Sequence, residues 1–186
     1  MLSTFKASID EFKNIRSLTT AGILTAMAFV CASFLVLKFG DDTLRIETRI
    51  IPIALAGMLF GPVIGGFVGA ASDILSSFTF ATPFYGFTLS YFIMGVIFGC
   101  FLYNQKRTVI KLILAQITVA ITVSISLFTI WRIIMLGPAW QPEIMLQPLL
   151  YERIIKTAIT TPVEFLVLVL ILEMVVPQYS KIGVRR

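Results

Sequence analysis

The sequence predicts an all-α integral membrane protein: six transmembrane helices with both termini cytoplasmic. Three observations predict it. Of its 186 residues, 58% are hydrophobic and 13% charged, with a mean hydropathy of +0.94, whereas soluble domains average about half apolar and a quarter charged. Residues 17–37, 50–72, 74–105 and 112–131 carry no Asp, Glu, Lys or Arg, and a bilayer core of about 30 Å takes roughly 20 helical residues. With both ends inside, nine of the fifteen basic residues (Lys6, Lys13, Arg16, Lys106, Arg107, Lys111, Lys181, Arg185, Arg186) fall on the cytoplasmic side, the direction of the positive-inside bias.

Composition also excludes function classes. The chain has no histidine, and Cys31 and Cys100 each lie in an apolar run. This argues against a disulfide-stapled secreted domain, histidine-based catalysis and His or Cys metal sites. No metal or other cofactor is expected. The net charge of +5 fits cytoplasmic positive charge better than a nucleic-acid partner in so apolar a chain. No Walker A motif, convincing internal repeat or nucleophile–base cluster is present.

Residues 1–16, MLSTFKASIDEFKNIR, mix charge with Leu2, Phe5, Ile9, Phe12 and Ile15. They read as an amphipathic helix on the inner membrane face, not a cleavable signal peptide. Six helices follow at about 17–37, 50–60, 63–79, 86–104, 109–135 and 151–176, making 17–176 one membrane domain. Residues 177–186 form a basic cytoplasmic tail. Gly61-Pro62, Thr82–Gly86, and Gly137-Pro138 with Pro142 and Pro148 mark the breaks.

Gly57, Gly61, Gly65 and Gly69 recur every four residues, with Gly66 beside them. Small residues at this spacing let helix backbones approach closely in lipid. They serve either internal packing or the docking of another membrane subunit, and Gly61-Pro62 prevents one straight ridge. Gly22 and Ala26, then Ala28 and Ala32, repeat the pattern in the first span.

Ionisable residues at membrane depth are costly and mark candidate sites. Asp73, Arg132, Arg153 and Glu164 qualify, while Glu173 falls at the cytoplasmic interface. Asp73 is an arginine's partner, a cap on a neighbouring backbone, or a ligand group. Arg45, Glu47 and Arg49 would share one side of an extended loop, as a polar lid or a solvated loop. Arginine grips carboxylates bidentately. Phe78, Phe80, Phe84, Tyr85, Phe87, Trp131, Trp140 and Tyr151 gather on the outer side, as an interfacial belt or a stacking wall.

The run Arg49-Ile-Ile-Pro52-Ile-Ala-Leu-Ala-Gly57-Met-Leu-Phe-Gly61-Pro62, then Gly65-Gly66, Gly69-Ala70, Asp73-Ile74, Tyr85-Gly-Phe-Thr-Leu-Ser90 and Gly95-Val-Ile-Phe-Gly99, resembles substrate-binding S components of energy-coupling factor (ECF) vitamin transporters, in particular the folate type. Arg153–Lys156 with Pro162 is a weaker match. The strong part covers about 45–103, while 104–150 fits by hydropathy alone.

The resemblance implies a six-helix S-component bundle in a bacterial cell membrane. It implies capture of a vitamin from outside in a pocket closed by the first loop and walled by helices four to six. It implies assembly with a transmembrane T component and two cytoplasmic ATPases, which carry out the hydrolysis, and a toppling motion that releases the vitamin inside. The T component docks on an Ala-x-x-x-Ala motif of the first helix, where this chain has Gly22 and Ala26. Gly57, Gly61, Gly65 and Gly69 are further candidates for docking. Glu164 stands where relatives more often have a neutral polar residue.

For folate, Phe84, Tyr85, Phe87, Trp131 and Trp140 are candidates to stack. Asp73 or Glu47 would accept from the pterin N–H groups, and Arg45, Arg49, Arg132 or Arg153 would hold the anionic tail. The alternatives are riboflavin or pantothenate as ligand, or a self-sufficient secondary carrier. The outer arginines disfavour thiamine.

Overall fold

Helix α3 (Ile50–Phe60) stands at the centre of the bundle, and its sequence, IIPIALAGMLF, explains why. It is apolar on every side, so no face suits a polar surface. Ile53, Ala54 and Ala56 are fully enclosed. At about 1.5 Å per residue, eleven residues reach roughly half-way through a bilayer core. The chain then turns at Gly61, whose φ of 91° suits glycine. Helix α4 (Pro62–Phe80) starts with proline at its first position, where the missing N–H costs nothing.

The computed structural model describes residues 2–34, 36–39, 44–80, 84–103, 109–137 and 142–181. Helix α1 (Leu2–Asp10) runs into a 3-10 turn, Glu11–Lys13. Helix α2 (Ile15–Phe34) lays Ala21, Leu24, Ala28 and Ala32 against α3 and α4. An antiparallel hairpin follows, β1 (Val36–Phe39) and β2 (Leu44–Glu47), with Val36 opposite Glu47. After α3 and α4, helix α5 (Tyr85–Leu102) returns beside α4. Helix α6 (Val109–Val119), a π-helical stretch (Ala120–Leu127) and α7 (Phe128–Leu136) form one continuous rod. Helix α8 (Pro142–Lys181) closes the chain.

Each of the six expected membrane segments is helical over its described residues, except that the first, 17–37, is helical only to Phe34 and enters β1 at Val36, and the fourth ends at Leu102. By length and apolarity, α2, α5 and the rod Val109–Met135 qualify as spans among the described residues. Helix α3 is too short, and α4 and α8 carry polar residues within their lengths. The bundle is all-α apart from a hairpin in which eight residues of the first loop pair as strands. One expectation is corrected. Pro142 and Pro148 do not mark a loop: Pro142 opens α8, and Pro148 lies in its second turn. The last helix runs beyond the expected end at 176, to Lys181.

The glycine ladder is buried, which corrects its docking role. A Cβ on Gly57 would lie 2.8 Å from the Gly99 backbone nitrogen, and one on Gly65 would lie 2.6 Å from Gly57 Cα. A Cβ on Gly69 would strike the Tyr91 carbonyl, and one on Gly99 the Pro62 backbone. Gly61 is covered by Ser8, whose side chain would sit 2.7 Å from an added Cβ. These glycines bring α3, α4 and α5 together and leave no free face. Gly22 and Ala26 differ: both are exposed on α2.

Ser8 secures the α3–α4 break. Fully buried, its hydroxyl donates to the Phe60 carbonyl at 2.8 Å and accepts from the Val63 amide at 3.1 Å. The first helix therefore packs one face on the bundle while Ile9 points outward, and Phe12 in the 3-10 turn meets Phe67 of α4 edge-on at 5.6 Å.

Candidate functional site

Opposite contacts along the α4–α5 seam keep a nearly constant numbering sum: Pro62 meets Gly99, Gly65 meets Gly95 and Gly69 meets Tyr91. The helices are therefore antiparallel and tightly spaced, and the next turn sets Asp73 against Thr88. Thr88 Oγ1 donates to Asp73 Oδ2 at 2.7 Å, and Arg49 Nη1 donates to Asp73 Oδ1 at 2.8 Å. The Arg49 and Asp73 side chains are only 8% and 9% exposed. The guanidinium lies 4.3 Å from the centre of the Tyr91 ring, which adds cation–π attraction in a desolvated place. Removing one partner of such a buried pair leaves an uncompensated charge, at about 3–5 kcal/mol.

This pair borders a cavity of about 720 Å³, within the usual range for small-molecule sites. Five elements present one face each. The start of α3 gives Arg49 and Ile50, and α4 gives Asp73, Ser76 and Ser77. Helix α5, with the residue preceding it, gives Phe84, Phe87, Tyr91 and Met94. The π-helical stretch and α7 give Ser124, Phe128, Arg132 and Met135. Helix α8 gives Glu152, Arg153, Lys156, Thr157, Thr160 and Glu164, spaced as one helical stripe.

An aromatic cluster stiffens one wall. Phe84 meets Phe87 and Trp131 edge-on at 5.5 and 5.8 Å between centroids, and Phe128 meets Phe87 and Tyr91 at 5.6 and 5.7 Å. Trp131 Nε1 donates to Ser90 Oγ at 2.9 Å. Gly86 is required here, because a Cβ would lie 2.6 Å from the indole Cδ2.

Of the residues expected at the site, Arg49, Asp73, Phe84, Phe87, Arg132 and Arg153 converge on the cavity. Trp131 packs behind the wall. Tyr85 is corrected: it is 82% exposed and lies outside the cavity lining, because it sits one position off the stripe of Phe84 and Phe87. Asp73 is the arginine's partner, as one of its three expected readings had it. Trp140 and the side chains of Arg45 and Glu47 lie outside the described residues. Glu164, singled out with Arg153 for its membrane depth, also lines the cavity; sequence reasoning missed Tyr91, Phe128, Ser124 and the rest of the α8 stripe. The spacing of Arg153, Lys156, Thr157, Thr160 and Glu164 was the signal for the stripe.

A family model for the substrate-specific component of ECF transporters matches residues 16–172. The folate transporter FolT of Clostridium novyi (strain NT) is 36% identical over 152 residues, 78% of this chain and 85% of that protein. A UPF0397 protein of Enterococcus faecalis (strain ATCC 700802 / V583) is 29% identical over 92 residues, 49% of this chain and 50% of that one. A crystal structure of FolT bound with folic acid aligns with a TM-score of 0.71 at 30% identity, covering 83% of this chain and 91% of that one. A bacterial ECF transporter S component aligns at 0.60 and 25% identity, covering 86% and 97%. The chain belongs to the S components of ECF transporters: it is a multi-pass membrane protein and the substrate-binding subunit of its transporter.

Proposed function

We propose that this subunit captures folate in the cavity between α5, α7 and α8. The observation that carries the reading is the charge that α7 and α8 bring to the cavity. Arg132, Arg153 and Lys156 line it against Glu152 and Glu164, a surplus of one positive charge beside an aromatic wall. Folate has matching parts, a flat pterin and aminobenzoyl ring joined to a glutamate tail with two carboxylates. Bidentate arginine–carboxylate bonds and ring contacts suit such a ligand.

The orientation follows the positive-inside bias, with six spans and both termini cytoplasmic. The mouth then faces outward. Arg45 and Glu47 on the β1–β2 hairpin, together with Trp140, belong to its closure. Residues 1–16 and 177–186 are the cytoplasmic segments. The exposed Gly22 and Ala26 form the docking face for a T component, and two ATPase subunits supply the energy for reorientation. The chain carries no chemistry or cofactor of its own.

Saturation binding of radiolabelled folate to the purified chain in detergent tests the substrate. One folate per chain is expected, displaced by unlabelled folate and not by riboflavin, pantothenate or thiamine. Saturable binding of another vitamin with none of folate would overturn the substrate.

A further inference from the structure

The rod from α6 to α7 joins two faces that a regular α-helix would set apart. Along its length it packs on α5 and α8. Its first part turns Leu112, Ala115, Gln116 and Val119 inward, and Val123 follows, fully buried. Its last part turns Phe128, Arg132 and Met135 to the cavity, with Phe128 against the Phe87 and Tyr91 rings. At about 3.6 residues per turn, Phe128 would stand about half a turn away from Val119, and Arg132 nearly as far from Gln116. The π-helical stretch Ala120–Leu127 makes up the difference, because its hydrogen bonds close over one residue more than α-helical ones. Side-chain hydroxyls follow the change. Thr118 and Thr122 donate to the carbonyls of Leu114 and Thr118, four residues back, at 2.7 and 2.6 Å, whereas Ser126 reaches five back, to Ile121, at 2.9 Å. The Phe128 amide likewise donates to the Val123 carbonyl. The next hydroxyl, Thr129, is 6% exposed and has no hydrogen-bond partner among the described residues, a cost that the usual bond to the carbonyl four back would avoid. Neither Gly nor Pro lies between Val109 and Leu136, so no local breaker accounts for the widening.

We infer that Ala120–Leu127 is a positioning element: it takes up an extra residue so that Phe128 and Arg132 face the ligand while α6 keeps its buried face. This deepens the folate reading and rests on it. One residue of α-helix is about 100° of rotation. With the same residues wound as a regular α-helix, α6 and α7 could not both keep these faces toward α5 and α8.

The test compares two single-residue deletions in the full chain in detergent. Ile121 and Ile130 are 55% and 48% exposed, and removing either shortens the rod by one residue. Without Ile121 the stretch can close into α-helix with α7 still aimed at the cavity, so folate affinity should stay within about 3-fold of wild type. Deletion of Ile130 changes the spacing from Phe128 to Arg132, which the stretch cannot absorb, and affinity should fall roughly 10- to 100-fold. A second readout is independent of affinity. With Cys31 and Cys100 replaced by alanine, saturating folate should slow maleimide labelling of Met135→Cys severalfold and leave that of Ile134→Cys unchanged, both in the full-length rod and after deletion of Ile121. Should the Ile121 deletion fail to fold, deletion of the exposed Ser126 carries the test. Equal affinity losses for the Ile121 and Ile130 deletions, protection that leaves Met135→Cys, or misfolding of both stretch deletions would overturn the positioning role. A wild-type chain that binds no folate would instead overturn the folate reading beneath it.

Discussion

The two halves of this bundle are built on different principles. In α3, α4 and α5, glycines bring backbone against backbone, and α3 is enclosed almost throughout. In the rod α6–α7 and in α8, the packing is sparser. Among the described side chains of α8, only Thr160 and Leu168 are buried. The rod is widened by eight π-helical residues, Ala120–Leu127, a feature common at functional sites. Helix α8 contains Pro148 and Pro162, each of which removes a backbone hydrogen bond. The comparison teaches a division of labour. The glycine half is a tightly packed wall that positions Arg49, Asp73, Phe87 and Tyr91, and the α6–α8 half supplies most of the charged lining.

Five substitutions break or sharpen that contrast. The largest effect belongs to Gly95→Leu, whose side chain would be driven into the Gly65 backbone. It should abolish the monodisperse folded peak in size-exclusion chromatography, while Ala158→Leu on the exposed side of α8 should shift stability by about 0.5 kcal/mol or less. Equal tolerance at both positions would dissolve the distinction between the halves.

Asp73→Asn comes next. It leaves the Arg49 guanidinium buried without its counter-charge, so thermal or denaturant unfolding should show a loss of about 3–5 kcal/mol. A loss below about 1 kcal/mol would mean that the pair is solvated and worth no more than a surface salt bridge.

Arg153→Ala acts on the other half. Folate affinity should fall roughly tenfold, and less so in high salt, with the unfolding curve unmoved. A coupled drop in stability would assign Arg153 to the scaffold. Tyr85→Ala is the smallest, with folate affinity expected within about 2-fold of wild type, because the ring is 82% exposed and away from the cavity.

What the sequence revealed follows the same division. The fixed half was legible because its signals are local: uncharged runs bounded by charges, glycines every four residues, and Gly61-Pro62 at the break. The positions of Arg49 and Asp73 were readable, but their pairing was not, since it depends on α4 and α5 closing over a distance that only the glycine contacts define. The ladder was half-read, because small-residue spacing shows that something approaches closely and not whether it comes from the same chain. The other half was harder. A π-helical stretch breaks the 3.6-residue period on which pattern reading rests. Pro142 and Pro148 signal turns in soluble proteins, whereas proline is tolerated at a helix start and within membrane helices. The polar stripe of α8 made the segment look a poorer span, although the same charges line the cavity.

The central claim is that folate occupies the cavity whose wall Trp131 backs. The most direct measurement is tryptophan fluorescence of the Trp140→Phe chain, which leaves Trp131 as its only indole, titrated with folate alongside radiolabelled binding. The account predicts saturable quenching of Trp131 at one folate per chain, with the same midpoint as the radiolabel. Radiolabelled folate that binds stoichiometrically while Trp131 emission stays unchanged would place the ligand elsewhere and contradict it.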